Sequence, residues 1–149
     1  MDIQQLYDEV MRKREQTWDY ACDDSKPDYP LYTHGTFLRK MNGIWQSEIK
    51  PSGEVPSNCE ITIPGYVSLQ KVLLAFGSGH GDMTLIIDGE QLDPDRMEFS
   101  EKFEHEIHRG PIAKETILCA KVHDEEMAQE IYRITNEAFP VLSSDYKLI

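Results

Sequence analysis

The order of patterns along the chain predicts an α+β fold: one compact domain over residues 1–149, with a central, mostly antiparallel split β-sheet flanked by N- and C-terminal helices. Two observations carry this. Apolar residues at helical spacing occur near each end of the chain. The runs between them are short, alternating or β-branched, and bounded by Gly, Pro, Asn and Asp. At 149 residues a single core can form, burying roughly two-thirds of the surface that the unfolded chain exposes.

Ile3, Leu6, Val10, Arg14 and Trp18 recur at helical spacing behind Asp2, a side chain suited to a helix N-cap, which predicts an amphipathic helix over residues 2–20. The polar run 22–28 ends it as a loop. Residues 30–34 are expected to form a strand that stops at Gly35, and Thr36 to cap a short helix from Phe37 to Met41, closed by Asn42-Gly43. Residues 44–54 read as extended chain or loop. Next come a strand over 59–63, a turn at Pro64-Gly65, a strand over 66–69 and a helix over 71–76, broken by the glycine-rich run 77–81.

Residues 83–88, Met-Thr-Leu-Ile-Ile-Asp, read as a buried strand, and Asp93-Pro94-Asp95 as a turn. In the strand expected over 103–107, period-two alternation sends Glu104 and Glu106 to one face. A strand over 116–122 and a last helix capped by Asp124 follow. Met127, Ile131, Ile134 and Ala138 share one face of that helix and Pro140 stops it, with no element assigned to 141–149.

Charge narrows the function classes. Hydrophobic content of 40% and charged content of 28% suit a soluble globular protein, whereas the net charge of −12 is unusual. Lys and Arg are scattered without a stripe, which argues against general binding to nucleic acid or to an anionic membrane. Acidity aids solubility, and it also suits a basic protein partner or mimicry of nucleic acid. No apolar run reaches the roughly 18 residues of a membrane span, and the start lacks a secretory pattern. Three cysteines without metal-site spacing fit a reduced, cytoplasmic chain.

His34 followed by Gly35 can present an imidazole and a bare backbone to a ligand. The pattern His34-Gly35-Thr36 is also half of the paired signature of two-histidine phosphoesterases, but no other histidine has Ser or Thr two places on. The run Gly77-Ser78-Gly79-His80-Gly81 lacks the Lys-Ser/Thr of a phosphate-binding loop. His80, Asp82, His105 and His108 do not make a metal set, since His105 and His108 point to opposite faces of a strand. No metal is expected.

Taken in order, Leu31–Thr36, Pro64–Leu69, and Glu104–Ile107 with Gly110-Pro111-Ile112 resemble the ADP-ribosyltransferase superfamily over about residues 30–122. The run Met83–Leu92 is similar to the aliphatic strand that precedes the Glu strand in several bacterial and phage members. The resemblance implies NAD as substrate, or an ADP-ribose-containing nucleotide as ligand. It implies that His34 binds the ribose and nicotinamide region, that Ser68 shapes the pocket and that Glu106 orients the nicotinamide ribose. Gly35 would let the backbone approach the nicotinamide, with Thr36 beside it among the cofactor-binding residues, Tyr66 or Tyr32 would stack on its ring, and Glu104 would position or deprotonate an acceptor.

The chemistry suits these residue types. Breaking the nicotinamide–ribose bond develops positive charge on the sugar, and a carboxylate held against the ribose stabilises it.

The charge supports a second expectation: a non-enzymatic acidic binder, of immunity or anti-defence type, that blocks a basic or nucleic-acid-binding partner. A third is an inactive transferase fold that sequesters a nucleotide. The transferase reading gathers His34, Ser68 and Glu106 in one cleft. The binder reading spreads carboxylates over a convex face.

Overall fold

The computed structural model describes residues 2–21, 30–51, 65–71, 81–101 and 105–149. Three helices occur among them, α1 (Ile3–Ala21), α2 (Met41–Gln46) and α3 (Glu125–Thr135). The strands are β1 (Leu31–Thr36), β2 (Glu48–Ile49), β3 (Tyr66–Lys71), β4 (Met83–Asp88), β5 (Met97–Ser100), β6 (His105–Arg109), β7 (Ile112–Ala113), β8 (Ile117–Val122) and β9 (Val141–Leu142). Seven of them join in the order β5–β6–β3–β1–β4–β8–β9, while β2 and β7 make a separate two-stranded ladder. Every pairing is antiparallel except that of β8 with β9. This is the expected mostly antiparallel α+β domain with a helix towards each end.

Both long helices begin as their sequences require. Asp2 Oδ1 accepts from Gln5 N at 2.8 Å while Gln5 Oε1 accepts from Asp2 N at 2.9 Å, a reciprocal cap. Asp124 Oδ1 accepts from Met127 N at 2.8 Å.

The sheet separates two cores. Leu31, Ile86, Cys119 and Leu142 pack with Val10 of α1 on one face. Tyr32, Leu69, Leu85, Ile87, Ala120 and Val141 pack with α2 and α3 residues Met41, Ile44, Ala128 and Ile131 on the other. Successive residues Leu31 and Tyr32 serve different cores because strand side chains alternate. Strand β4 is buried along its whole length, which accounts for its mostly apolar sequence.

Several local expectations are corrected. Strand β1 continues through Gly35 to Thr36, because Gly35 pairs with Thr84 and Thr36 with Met83. Helix α2 runs through Asn42-Gly43 to Gln46 after a 3₁₀ turn at Leu38–Lys40, replacing the shorter helix expected before them. Burial of Met41 and Ile44 against the core outweighs the local turn preference. Lys71 ends a strand rather than opening a helix. Thr116, expected to open a strand, instead closes a 3₁₀ turn at Lys114–Thr116, and the strand begins at Ile117. Helix α3 stops at Asn136 in the left-handed conformation, so Ala138 lies beyond it and Pro140 is not the terminator. Strands β5, β7 and β9 were not expected, and β6 runs past Ile107 to Arg109.

Gly81 requires its residue type. Its φ is +84°, and a Cβ there would meet the Thr36 carbonyl oxygen at 1.9 Å. That close approach lets Asp82 N donate to Thr36 O at 3.1 Å, while Asp82 Oδ1 accepts from Leu38 N at 2.7 Å. The expected loop at 22–28, the strand at 59–63, the rest of the helix at 71–76, the run 77–80 and Glu104 lie outside the described residues. No helix among the described residues is long and apolar enough to cross a membrane.

Candidate functional site

One row of Cα partners crosses the sheet at the expected site. Phe99 pairs with Glu106 and Glu106 with Leu69. Continuing the pairing of Tyr32 with Lys71 and Thr33 with Gln70 brings His34 level with Leu69. Side chains along such a row share a face, so Phe99, Glu106, Leu69 and His34 project towards the α2 and α3 side. His34 and Glu106 lie on strands β1 and β6, with β3 between them. Leu69, fully buried, fills the place between them. Ser68 is directed by alternation to the other face, with its partner Ile107.

His34 is tied to the backbone. Its Nδ1 lies 2.9 Å from the Ser68 carbonyl oxygen. A carbonyl only accepts, so Nδ1 carries the proton and donates. Beyond Thr33 the described residues of β1 and β3 form no further Cα pair, and the imidazole supplies the next link between them. His34 and Ser68 therefore meet through ring and backbone.

A concavity on this face lies towards Glu106. A cleft of about 240 Å³ is lined by Tyr32, Leu92, Met97 and Phe99, by the carboxylate residues Glu98 and Glu106, and by Gly89 and Pro94. Gly89 and Pro94 belong to the crossover from β4 to β5, which walls the cleft. Of the residues expected to act together, Glu106 and Tyr32 meet here. His34, Ser68 and Tyr66 are not among the lining residues. Tyr66 opens β3 opposite Arg109. Thr36 lies four residues beyond Tyr32, about 13 Å along the strand, and Gly35 is held in the ladder with β4.

The crossover is anchored at both ends. Asp88 Oδ1 accepts from Lys13 Nζ at 3.0 Å and from Glu90 N at 3.1 Å, and its Oδ2 accepts from Gln91 Nε2 at 2.8 Å. Lys13 Nζ also reaches Glu90 Oε2 at 3.2 Å. Lys13 and Asp88 are each only 6% exposed. Burial pulls the Lys13 ammonium down, but the hydrogen bonds and charges of Asp88 and Glu90 outweigh it and hold its pKa above the ordinary value. At the other end, Arg109 Nη2 donates to Asp95 O at 2.7 Å and Arg96 Nη1 to Arg109 O at 3.3 Å.

His108 sits beside this second anchor. It pairs in register with Met97, is 4% exposed, and its Nδ1 donates to Gly110 O at 3.1 Å. Burial pushes its pKa down and Arg96 adds to that, against the opposing Gly110 bond and Asp93. Among the described residues no three His, Cys, Asp or Glu side chains come together as a metal group.

Sequence reasoning marked Glu106 and Tyr32 but missed Met97, Glu98 and Phe99. The signal was the alternation Met97-Glu98-Phe99-Ser100, which is strand β5. No protein-family model matches the chain, and no curated protein matches it either.

Proposed function

We propose that the chain is an acidic binding protein whose cleft receives a cationic side chain of a basic partner, with Glu106 as the carboxylate that meets the charge. One observation carries this reading: among the described residues, Glu106 lines the cleft together with the aromatic residues Tyr32 and Phe99. A carboxylate attracts a cation directly and can take a guanidinium through two parallel hydrogen bonds. An aromatic face adds the attraction of its quadrupole. At about 240 Å³ the cleft suits one side chain or one ring, below the roughly 300–1,000 Å³ of pockets that bury drug-sized ligands. The net charge of −12 draws a basic partner from a distance and speeds encounter.

The test compares a short arginine-containing peptide with its citrulline counterpart, which keeps the shape and loses the charge. The arginine peptide binds at least tenfold more tightly to the wild type, and Glu106→Gln removes that difference. Equal binding of the two peptides contradicts the reading.

A second reading, an ADP-ribosyltransferase-like protein that cleaves NAD, draws on the shared position of Tyr32 and Glu106. The nicotinamide ring of NAD is itself cationic. Here Tyr32 stacks on it, Glu106 faces the attached ribose, and the diphosphate lies outside the cleft. Nicotinamide release from NAD by the wild type, lost in Glu106→Gln, is its signature. Both readings suit a cytoplasmic protein.

A further inference from the structure

The opposite face of the sheet carries a different charge arrangement. The guanidinium carbon of Arg14 lies 4.0 Å from the Tyr146 ring centroid, and the Lys121 ammonium 4.5 Å from the same centroid. The ring is held from several directions. Tyr146 has a φ of 63°, its N donates to Ser143 O at 3.0 Å, and its carbonyl accepts from the Tyr7 hydroxyl at 2.9 Å. Tyr7 and Arg14 are seven residues apart on α1, hence on one side of the helix. Lys121 lies two residues beyond Cys119 on β8, and so faces the core beneath α1.

The chain contains 27 acidic residues. Arg12, Arg96 and Arg133 each pair with one, and Lys13 with two. Among the described residues, Arg14 and Lys121 pair with none. All three members of the cluster are half-buried rather than spread into solvent. Burial pulls the Lys121 pKa down and the neighbouring Arg14 charge adds to that. Two like charges thus share one ring, whose quadrupole offsets only part of their repulsion.

We propose that Arg14, Lys121 and the Tyr146 hydroxyl form an anion site that takes a phosphate group, on the face of the sheet opposite the cleft. A guanidinium supplies a planar fork of donors, an ammonium a compact charge and a phenol one further donor. Together they match a tetrahedral dianion better than a single carboxylate. The ion neutralises the repulsion that the fold leaves uncompensated. The ligand is free phosphate or a phosphate monoester on a larger molecule.

The full chain is titrated with inorganic phosphate and separately with glycerol 2-phosphate, against chloride at equal ionic strength. Binding is followed by calorimetry and by amide chemical shifts. Saturable binding is expected, with shifts centred on Arg14, Lys121 and Tyr146. Its affinity falls at least tenfold in Arg14→Gln and in Lys121→Gln, while Arg133→Gln, on another element, binds as the wild type does. Binding of phosphate alone identifies the free ion, and binding of both a monoester. If the cations only clamp the C-terminal turn, the variants lose thermal stability and the wild type shows no saturable phosphate binding. That result overturns the site, as do shifts centred elsewhere, even should either variant fail to fold.

Discussion

Glu106 stands in a row between Phe99 and Leu69, with Tyr32 lining the same cleft. An apolar setting strengthens the pull of a carboxylate on a cation, because less water competes. Glu106→Gln keeps the shape and removes the charge. Any change in its unfolding free energy is read directly by chemical denaturation. Arginine-peptide affinity falls tenfold or more, about 1.4 kcal/mol. Chemical denaturation and calorimetry on one sample separate the two effects.

His108 gives the other residue-level expectation. Its folded pKa lies below the ordinary value of 6.5 because it is buried and near Arg96. Above that value neither state carries the proton, so the residue contributes nothing to pH dependence. As pH falls below 6.5 the unfolded chain takes up the proton first, and stability declines until the folded value is passed. Melting temperature across this window falls in the wild type, and the decline is shallower in His108→Asn. Equal slopes in the two proteins contradict the assignment.

At the scale of elements, the pair of Lys13 and Asp88 joins α1 to the crossover that walls the cleft. Lys13→Ala leaves Asp88 buried without its counter-charge, and is expected to destabilise by about 3–5 kcal/mol. Because the folded Lys13 pKa is raised above 10.5, the pair contributes fully below that pH and is lost as pH rises through the folded value. Urea denaturation at neutral and at high pH reads both statements.

The end of α3 yields a stabilising change. Glu137 has a φ of 56° and donates its N to Tyr132 O at 3.0 Å. Glu137→Gly removes left-handed strain and a negative charge from a helix C-terminus, and is expected to raise stability by about 1 kcal/mol, read as a higher melting temperature.

Where local chemistry decided an element, it was legible. Asp2 with Gln5 and Asp124 with Met127 N made both long helices readable from their first turns. Strand β4 was readable because it is buried on both faces. Where tertiary contact decided, the pattern misled. Asn42-Gly43 spells a turn, yet Met41 and Ile44 are buried across it. Strand β5 has only four residues and an exposed Phe99, so its alternation was too short to stand apart from the turn before it. The cleft followed the same division: Glu106 was visible as a strand carboxylate, whereas its enclosure by residues 89–99 depends on a crossover that no local pattern marks.

Across the whole molecule, one sheet keeps two kinds of surface apart. The cleft opens on the side of α2 and α3, and the Arg14–Lys121–Tyr146 cluster lies on the side of α1. A chain with a net charge of −12 draws basic molecules in general, so affinity for a basic peptide does not by itself establish a site. Salt separates the contributions: the long-range attraction is screened over about 10 Å at 0.1 M, whereas a half-enclosed contact at Glu106 is screened less.

The most direct measurement is therefore amide chemical-shift mapping of the arginine-containing peptide at moderate salt. The account predicts saturable shifts confined to Gly89, Leu92, Met97, Phe99 and Glu106, absent with the citrulline peptide. Shifts spread evenly over the acidic surface, or centred on His34 and Ser68, would contradict it.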